Sequence, residues 1–422
     1  MKRREQLTDG AMDSVFSALY PGDAARQPER YRQAIDAFEQ AFGQRDNIRL
    51  FSAPGRSEVG GNHTDHQRGC VLAAAVTLDL IAVVSQREDD RICIHSAGHR
   101  PMSLSVNDLA PKPKEKNTSI SLVRGIAGRL QSLGYRVGGF DAYITSEVPK
   151  GSGLSSSAAY SILLCTIFSC LFNGGKVHPT QQAIISKYAE NHYFGKPSGL
   201  MDQLASSTGG FVMIDFLDPE KPVIEQVDCD PGKLGYAVCI VNARGSHANL
   251  TPEYAAVPME MGRVAAFFGK EVLREVEENA FYAALPELRK QTGDRAVLRA
   301  MHFFDDNKRV PLETAALQKK DMGAFLKLIN ESGKSSFMLL QNVCPTDAKE
   351  RSIALALALS EKLLSGRGAW RIHGGGFAGT IQAFVPLDMT ERYIAEMERV
   401  FGEGCCYQLA IRPVGGVEIA PA

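Results

Sequence analysis

The sequence lacks several features that mark large classes of proteins. Only nine of its 422 residues are cysteines, and none of them forms a Cys-x-x-Cys motif, so neither a zinc site nor a disulfide framework is indicated. The formal net charge is only −1, so the composition gives no reason to expect a nucleic acid or an anionic membrane as partner. Any site for an anion must therefore be built locally.

Segments that would direct the chain into or across a membrane are also missing. The N-terminus is basic but continues into polar residues, whereas a secretory signal would continue into an apolar run. The most apolar stretch, residues 158–172, is shorter than a membrane span and contains Ser161 and Ser169. We therefore expect a buried core helix at this stretch, reduced thiols and a cytoplasmic location.

What is present fits an ordinary globular protein. Hydrophobic residues make up 44% of the chain and charged residues 23%, and 422 residues are enough for two domains that each bury a core. Strands and helices are mixed without regular alternation, which favours an α+β fold over a doubly wound sheet. We place one domain at residues 1–210 and a second at residues 211–422.

The predicted elements follow from periodicity. In the first fifty residues helices are predicted, and Ala34, Ile35 and Phe38 share one helical face. Strands are then predicted at 48–52, 71–85, 91–95 and 140–146, with a helix at 121–133. The second half predicts strands at 211–216, 236–242, 370–373, 380–385 and 406–412, with several helices between 253 and 364.

One segment carries the strongest functional signal. Small and hydroxyl-bearing residues open the apolar helix described above, and we call them the serine-rich loop: Gly151, Ser152, Gly153, Leu154, Ser155, Ser156 and Ser157. Glycines allow close approach of a polyphosphate, and the free N–H groups of a helix N-terminus attract it. The alternative is an ordinary helix cap, since serine and glycine are also common there. The loop predicts a nucleotide triphosphate site.

Two common nucleotide motifs are excluded. A P-loop would end in Gly-Lys-Ser/Thr, but the lysine here, Lys150, precedes the glycines. The glycine loop of protein kinases would be followed by His-Arg-Asp and Asp-Phe-Gly elements, and neither is found downstream. The loop therefore matches neither of these two motifs.

The serine-rich loop resembles the second motif of the GHMP kinases, which phosphorylate galactose, homoserine, mevalonate and phosphomevalonate. Residues 53–66, here called the signature segment, read A-P-G-R-S-E-V-G-G-N-H-T-D-H and resemble the galactokinase pattern usually written G-R-x-N-L-I-G-E-H-T-D-Y. Residues 199–203, G-L-M-D-Q, and the glycine-rich segment 373–379 are similar to two further blocks. Four blocks in the family order identify the chain as resembling galactokinases.

The resemblance implies a two-lobed fold with the active site in the cleft, and ATP-dependent phosphorylation of the anomeric hydroxyl of galactose. Asp202 matches the aspartate assigned as the base, although an acid in the first turn of a helix is also an ordinary helix-capping residue. Arg56 would keep Asp202 ionised and meet charge on the transferred phosphoryl group. Alone, Arg56 would be read as a surface ion-pair partner.

The same resemblance implies the metal and sugar ligands. Mg²⁺ would be held by Ser157 and Glu190, one hydroxyl and one carboxylate, in keeping with its preference for a few hard oxygens plus phosphate and water. Without the spacing, Glu190 would be read as a solvated helix acid. The residues expected to bind the sugar are Asn62, His63, Thr64, Asp65, Gly199 and Tyr254.

One departure leaves the substrate open. Galactokinases have a glutamate that accepts a hydrogen bond from the sugar 6-hydroxyl, and this chain has Asn62 in its place. An amide can donate to a C6 carboxylate, so a galacturonate kinase is an alternative to a galactokinase, with N-acetylgalactosamine as a further candidate. A non-catalytic sugar sensor is another, but such sensors lack residues of the serine-rich loop, which is complete here.

Overall fold

In the computed structural model, which describes residues 2–149, 151–245, 250–345 and 349–421, the chain forms two β-sheets surrounded by helices. The strands, in chain order, are β1 (Ile48–Gly60), β2 (Cys70–Gln86), β3 (Arg91–Ser96), β4 (Met102–Ser105), β5 (Phe140–Ser146), β6 (Phe211–Asp215), β7 (Val223–Val227), β8 (Tyr236–Asn242), β9 (Ala369–Ile372), β10 (Thr380–Pro386), β11 (Cys406–Leu409) and β12 (Val417–Ile419).

The α-helices connect these strands and cover the sheets. They are α1 (Lys2–Thr8), α2 (Asp13–Leu19), α3 (Gln27–Phe42), α4 (Ser119–Ser132), α5 (Ser156–Phe172), α6 (Pro179–Ala189), α7 (Met201–Thr208), α8 (Thr251–Phe267), α9 (Glu278–Ala283), α10 (Leu285–Thr292), α11 (Asp294–Gln318), α12 (Met322–Ser335), α13 (Ser352–Leu364) and α14 (Thr390–Phe401). None of the helices in the described ranges is long and apolar enough to cross a lipid bilayer.

The larger sheet has the order β12-β1-β2-β5-β3-β4, with β6 also pairing with β2 and β7 with β6. The smaller sheet has the order β11-β8-β10-β9. Strands β6 and β7 come after residue 210 and β12 comes near the C-terminus, yet all three pair into the larger sheet. The hydrogen-bonded sheets therefore do not divide the chain at residue 210, where we expected the domain boundary.

Strand β1 extends much further than the predicted 48–52. It continues through most of the signature segment, and its pairing with β2 shifts between Pro54 and Arg56 and again between Glu58 and Gly60. Such irregularities bend a strand and redirect its side chains. The signature segment is thus held rigidly in the sheet up to Gly60, after which the chain turns into the residues 61–69.

Helix α5 confirms the expectation of a buried core helix at 158–172. Its apolar residues lie on every side and almost all of them are buried, so it has no polar face to present to solvent. It packs against β1 and β2 on one side and α6 and α7 on the other. This packing fixes the N-terminal end of α5, and with it the serine-rich loop.

Candidate active site

Arg56 and Asp202 meet at the centre of the site. Arg56 projects from β1, and Asp202 lies in the first turn of α7. The Arg56 Nε and Nη2 atoms are each 2.7 Å from Asp202 Oδ1, and the Ser155 hydroxyl donates to Oδ2 at 2.5 Å. The Asp202 side chain keeps 27% of its surface exposed. It is therefore held in place by the protein but can still be reached by a substrate.

These neighbours also set the charge of the pair. Burial alone would raise the pKa of Asp202, but the Arg56 guanidinium and the Ser155 hydroxyl bring it below its ordinary value. Burial opposes the charge on Arg56, yet the carboxylates of Asp202, Glu58 and Asp65 raise the pKa of its guanidinium. Both groups are ionised at neutral pH.

The serine-rich loop leads directly into α5. Ser155 adopts a left-handed backbone conformation with φ 56°, and α5 begins at Ser156 without a side-chain cap on its N-terminal N–H groups. The loop is tied to the signature segment because Arg56 donates from its backbone N–H to the Leu154 carbonyl at 3.0 Å and from Nη1 to the Gly153 carbonyl. The N-terminus of α5 is therefore prepared to bind an anion next to Asp202. Lys150, which we noted ahead of the glycines, lies outside the described residues.

His373 supports the loop from the other side. Its Nδ1 atom forms a hydrogen bond with Thr380 Oγ1 at 2.9 Å, and its Nε2 atom forms one with Ser57 Oγ at 3.0 Å. Burial lowers its pKa to about 3, so the imidazole is neutral. A Cβ placed on Gly153 would lie 2.9 Å from His373 Nδ1, which leaves no room for a side chain. The glycine-rich segment thus packs directly onto the serine-rich loop.

This packing predicts the effect of Gly153→Ala. Its φ of 72° is unfavourable for alanine and the added Cβ would meet the His373 ring, so we expect the KM for ATP to rise roughly ten- to hundredfold. Gly151→Ala is the matched control, because Gly151 has a similar φ of 74° but no described atom within 4 Å of the added Cβ. Equal ATP kinetics for the two variants would rule out the contact with His373 as the cause.

Glu190 and Ser157, the two residues predicted to hold a metal, line the same cavity. Glu190 starts a π-helical turn, Glu190–Phe194, a type of distortion that often occurs at functional sites. Its Oε2 atom accepts hydrogen bonds from Ser198 and Gln203, but its buried Oε1 atom has no hydrogen-bond partner among the described residues. Burial raises the pKa of Glu190, while Ser198, Lys196 and the nearby Ser157 hydroxyl oppose that rise.

A buried carboxylate oxygen without a partner is costly unless a cation or a donor satisfies it. The Ser157 hydroxyl and the Glu190 carboxylate are hard oxygen ligands of the kind that Mg²⁺ prefers. Within the described ranges there is no group of three or more His, Cys, Asp or Glu side chains placed to hold a metal. One hydroxyl and one carboxylate would suit an ion that takes few protein ligands and completes its shell with phosphate and water.

A cavity of about 700 Å³ extends from these two residues. Ser156, Ser157, Glu190 and Lys196 line its polar part. Its apolar walls are formed by Leu80, Met102, Leu122, Ile144, Val148 and Tyr160. An apolar chamber with a cationic and hydroxyl-bearing end suits a nucleobase with attached phosphates.

Four of the residues predicted to bind a sugar lie close to one another or to the glycine-rich segment. Asp65 is close to Gly199, since a Cβ on Gly199 would lie 3.3 Å from Asp65 Oδ2. His63 Nε2 donates to the Gly375 carbonyl at 2.9 Å, and Tyr254 donates its hydroxyl to the Gly376 carbonyl at 2.9 Å. Burial lowers the pKa of His63 to about 4, so its ring is neutral and Nδ1 can accept a hydrogen bond.

The other two predicted sugar ligands lie elsewhere. Thr64 is completely buried, and its hydroxyl is directed at the carbonyls of Gly61 and Cys70, 2.8 and 2.6 Å away. Its hydroxyl proton is committed to the backbone, so the structure gives Thr64 the role of closing the turn between β1 and β2. The expectation that Thr64 touches the sugar is not supported by this geometry.

Asn62 is also completely buried. Its amide nitrogen donates to Glu58 Oε1 at 2.7 Å and to the Gly374 carbonyl at 2.8 Å, and its amide oxygen accepts from Asn342 Nδ2 at 2.7 Å. All of its donors are therefore used within the protein. The expectation that Asn62 itself faces the sugar C6 is not supported either, because the amide joins the signature segment to the glycine-rich segment.

Two side chains at the site were missed by the sequence analysis. Lys196 lines the cavity beside Glu190 and acts on the pKa of both Glu190 and Asp202. Its signal is a lysine in a Gly-Lys-Pro-Ser-Gly turn between two predicted site acids. His373 was noted only as the first residue of a motif, and its contact with Gly153 depends on tertiary packing.

Comparisons with known proteins show what this chain is similar to. The family model described as the galactokinase galactose-binding signature matches residues 36–86, and the model of the GHMP kinase N-terminal domain matches residues 121–210. A galactokinase from Streptomyces coelicolor is 31% identical over 375 residues, covering 88% of this chain and 92% of that protein. A galactokinase from Glaesserella parasuis is 30% identical, covering 84% and 89%.

Solved structures share the fold. Lactococcus lactis galactokinase, solved in complex with galactose, superposes with a TM-score of 0.78 at 22% identity, covering 92% of this chain and 99% of that one. The mevalonate kinase of Methanococcus jannaschii superposes with a TM-score of 0.62 at 15% identity, covering 87% and 99%. At these identities the likeness concerns the fold alone.

Proposed function

This chain belongs to the galactokinase family, within the GHMP kinases, and we propose that it transfers the γ-phosphoryl group of ATP to the anomeric hydroxyl of galactose. The observation that carries this proposal is the Arg56–Asp202 pair, which the Ser155 hydroxyl holds from the serine-rich loop. In this pair the Asp202 carboxylate can accept a proton, and the adjacent Arg56 guanidinium can stabilise negative charge on a phosphoryl group. Phosphoryl transfer requires both, together with precise positioning of the reactants.

Asp202 accepts the proton of the anomeric hydroxyl. Because its pKa lies below the ordinary value, it is ionised over the whole neutral range and needs no further base. Arg56 holds the carboxylate through Oδ1, which leaves Oδ2 to Ser155 and to the incoming hydroxyl. The Arg56 guanidinium also stabilises negative charge that develops on the transferred group.

ATP would occupy the cavity with its base against the apolar walls and its phosphates at the N-terminus of α5. There the uncapped N–H groups and the Lys196 ammonium favour negative charge. Ser157 and Glu190 would hold Mg²⁺, which when bound neutralises phosphate charge and helps to fix the phosphates. The unpartnered Glu190 Oε1 supports this assignment.

The sugar would lie between Asp65, Gly199, His63 and Tyr254. The Asp65 carboxylate can accept hydrogen bonds from two adjacent hydroxyls, and His63 Nδ1 can accept one more. Small polar substrates of this kind need no membrane or nucleic-acid partner. All nine cysteines are free thiols, which supports the proposal of a reducing compartment such as the cytoplasm.

A coupled ATPase assay tests the reaction directly. The purified chain is given galactose, galacturonate, N-acetylgalactosamine, glucose and arabinose, each with Mg²⁺ and ATP, and the product is identified by phosphorus NMR. We expect galactose 1-phosphate, with galactose giving the largest kcat/KM. ATP and sugar binding without any phosphorylated product would favour the non-catalytic sensor, although the complete serine-rich loop and Asp202 argue for an enzyme.

The metal assignment gives a separate prediction. Ser157→Ala combined with Glu190→Gln should raise the Mg²⁺ concentration needed for half-maximal rate, because both hard-oxygen ligands are lost or weakened. Ser132→Ala with Glu287→Gln is the matched control, since both of these side chains are exposed on α4 and α10. An unchanged Mg²⁺ dependence in the first variant would show that the metal binds elsewhere.

A further inference from the structure

Glu58 is a carboxylate of the site that the proposed reaction has not yet used. It lies on β1 two residues after Arg56, and the pairing with β2 is regular from Arg56 to Glu58, so the two side chains project from the same face of the strand. Burial raises the pKa of Glu58, and the charges of Arg371, Arg56 and Asp65 also act on it. Glu58 therefore lies within electrostatic reach of Arg371, Arg56 and Asp65.

Only one of its two oxygens is used by the protein. Oε1 accepts from Asn62 Nδ2 at 2.7 Å and from Arg371 Nη2 at 3.4 Å. Oε2 has no hydrogen bond from any residue that the structure describes, and 9% of the side chain is exposed. Asn62 and Arg371 thus fix one edge of the carboxylate, and the other edge is left for a hydrogen-bond donor.

The residue types at these positions are exchanged relative to the galactokinase pattern G-R-x-N-L-I-G-E-H-T-D-Y. That pattern has asparagine at the position of Glu58 and glutamate at the position of Asn62. In this chain the carboxylate is at Glu58 and the amide is at Asn62, the reverse of the pattern. The two side chains are hydrogen-bonded to each other. The site therefore keeps both chemical groups, with the carboxylate displaced by four residues along the chain.

We propose that Glu58 determines sugar specificity, accepting a hydrogen bond from a sugar hydroxyl through Oε2, and that Asn62 positions it. This inference rests on the proposed sugar kinase function and names the substrate class of that site. A carboxylate only accepts hydrogen bonds, so it favours neutral sugars with a hydroxyl group. A sugar carboxylate would place two like charges together in a closed cleft, so uronates are rejected.

The test compares kcat/KM for galactose and galacturonate. We expect the wild type to favour galactose, and Glu58→Gln to lose about tenfold or more on galactose, mainly through KM, because a charge-assisted bond becomes a neutral one. The same variant should move the galactose to galacturonate ratio towards galacturonate. The amide oxygen of the introduced glutamine would still accept from Asn62 Nδ2, so the variant keeps the local packing. Glu287→Gln, an exposed carboxylate on α10, is the control and should leave the ratio unchanged.

The reciprocal double variant tests the pairing. Glu58→Asn with Asn62→Glu returns the residues to the order of the family pattern, so the galactose preference should recover beyond that of Glu58→Asn alone. Asn62→Glu alone brings two carboxylates together and should weaken galactose. Additive effects of the two single changes would show that Asn62 does not act through Glu58.

One measurement needs no variant. The methyl ester of galacturonate is larger than the free acid but has no charge, so the wild type should phosphorylate the ester faster than the acid. A wild type that prefers free galacturonate, or a ratio that Glu58→Gln leaves unchanged, overturns the role of Glu58 while the kinase reaction stands. A wild type that phosphorylates no sugar overturns the proposed function itself.

Discussion

Asp202→Asn is expected to lose about a hundred- to ten-thousandfold in kcat, because the amide has the shape of the carboxylate but cannot accept a proton. Arg56 and Ser155 now stabilise the ionised form of Asp202 through Oδ1 and Oδ2. Neither contact is needed to hold ATP in the cavity, whose walls come from other residues. The variant should therefore still bind ATP and galactose.

Steady-state kinetics together with isothermal titration calorimetry separate these effects. Asp388→Asn is the matched control, since Asp388 is exposed and forms an ion pair with Arg367 at the surface. Circular dichroism checks that the fold survives, because removing the charge of Asp202 leaves the buried Arg56 without its partner. A variant with near-wild-type kcat would exclude Asp202 as the proton acceptor.

Helices and strands with a clear pattern of apolar residues were predictable from the sequence, and those without such a pattern were not. Helix α5 and strand β2 were predicted within one or two residues because their apolar runs are long. The second part of β1 was missed because Pro54, Gly55 and Gly60 interrupt the pattern, and the two pairing irregularities accommodate them. Strands β4, β7 and β12 have three to five residues each and carry too little pattern to be recognised.

The residues of the candidate site also fall into those that could be predicted from the sequence and those that could not. The proposed catalytic pair, the serine-rich loop and the two proposed metal ligands each belong to a local motif, so their residues could be named from the sequence. Asn62 and Thr64 also lie in a motif, but their burial depends on the glycine-rich segment and on β2, which are distant in the sequence. The exchange between Glu58 and Asn62 has a meaning only once the hydrogen bond between them is seen.

The described residues that precede β1, here called the N-terminal leader, show a further limit of the sequence. Its helices were predicted, yet their purpose was not, because it depends on one buried aspartate far along the chain. In the leader, the Tyr20 hydroxyl donates a hydrogen bond to Asp79 and Arg30 forms an ion pair with it. Arg412, near the other end of the sequence, forms a second ion pair with Asp79. The Asp79 backbone carbonyl also accepts a hydrogen bond from the N–H of Glu147, whose neighbour Val148 lines the cavity of about 700 Å³.

Asp79→Asn is expected to destabilise the protein by about 3–5 kcal/mol, because Arg30 and Arg412 would remain buried without a counter-charge. Asp79 is completely buried, 2.6 Å from Arg30 Nη1 and 2.9 Å from Arg412 Nη1. Burial raises its pKa, but the two guanidinium groups bring it below the ordinary value. The ionised form therefore stabilises the fold at neutral pH, and this contribution is lost as the pH falls through that lowered pKa.

Urea and thermal unfolding should show a large difference in stability between variant and wild type at pH 7, and this difference should shrink in acid. Asp89→Asn, at a solvent-accessible ion pair with Arg87, is the control and should unfold like the wild type. Equal stability of Asp79→Asn and Asp89→Asn would show that the leader is held by apolar packing alone.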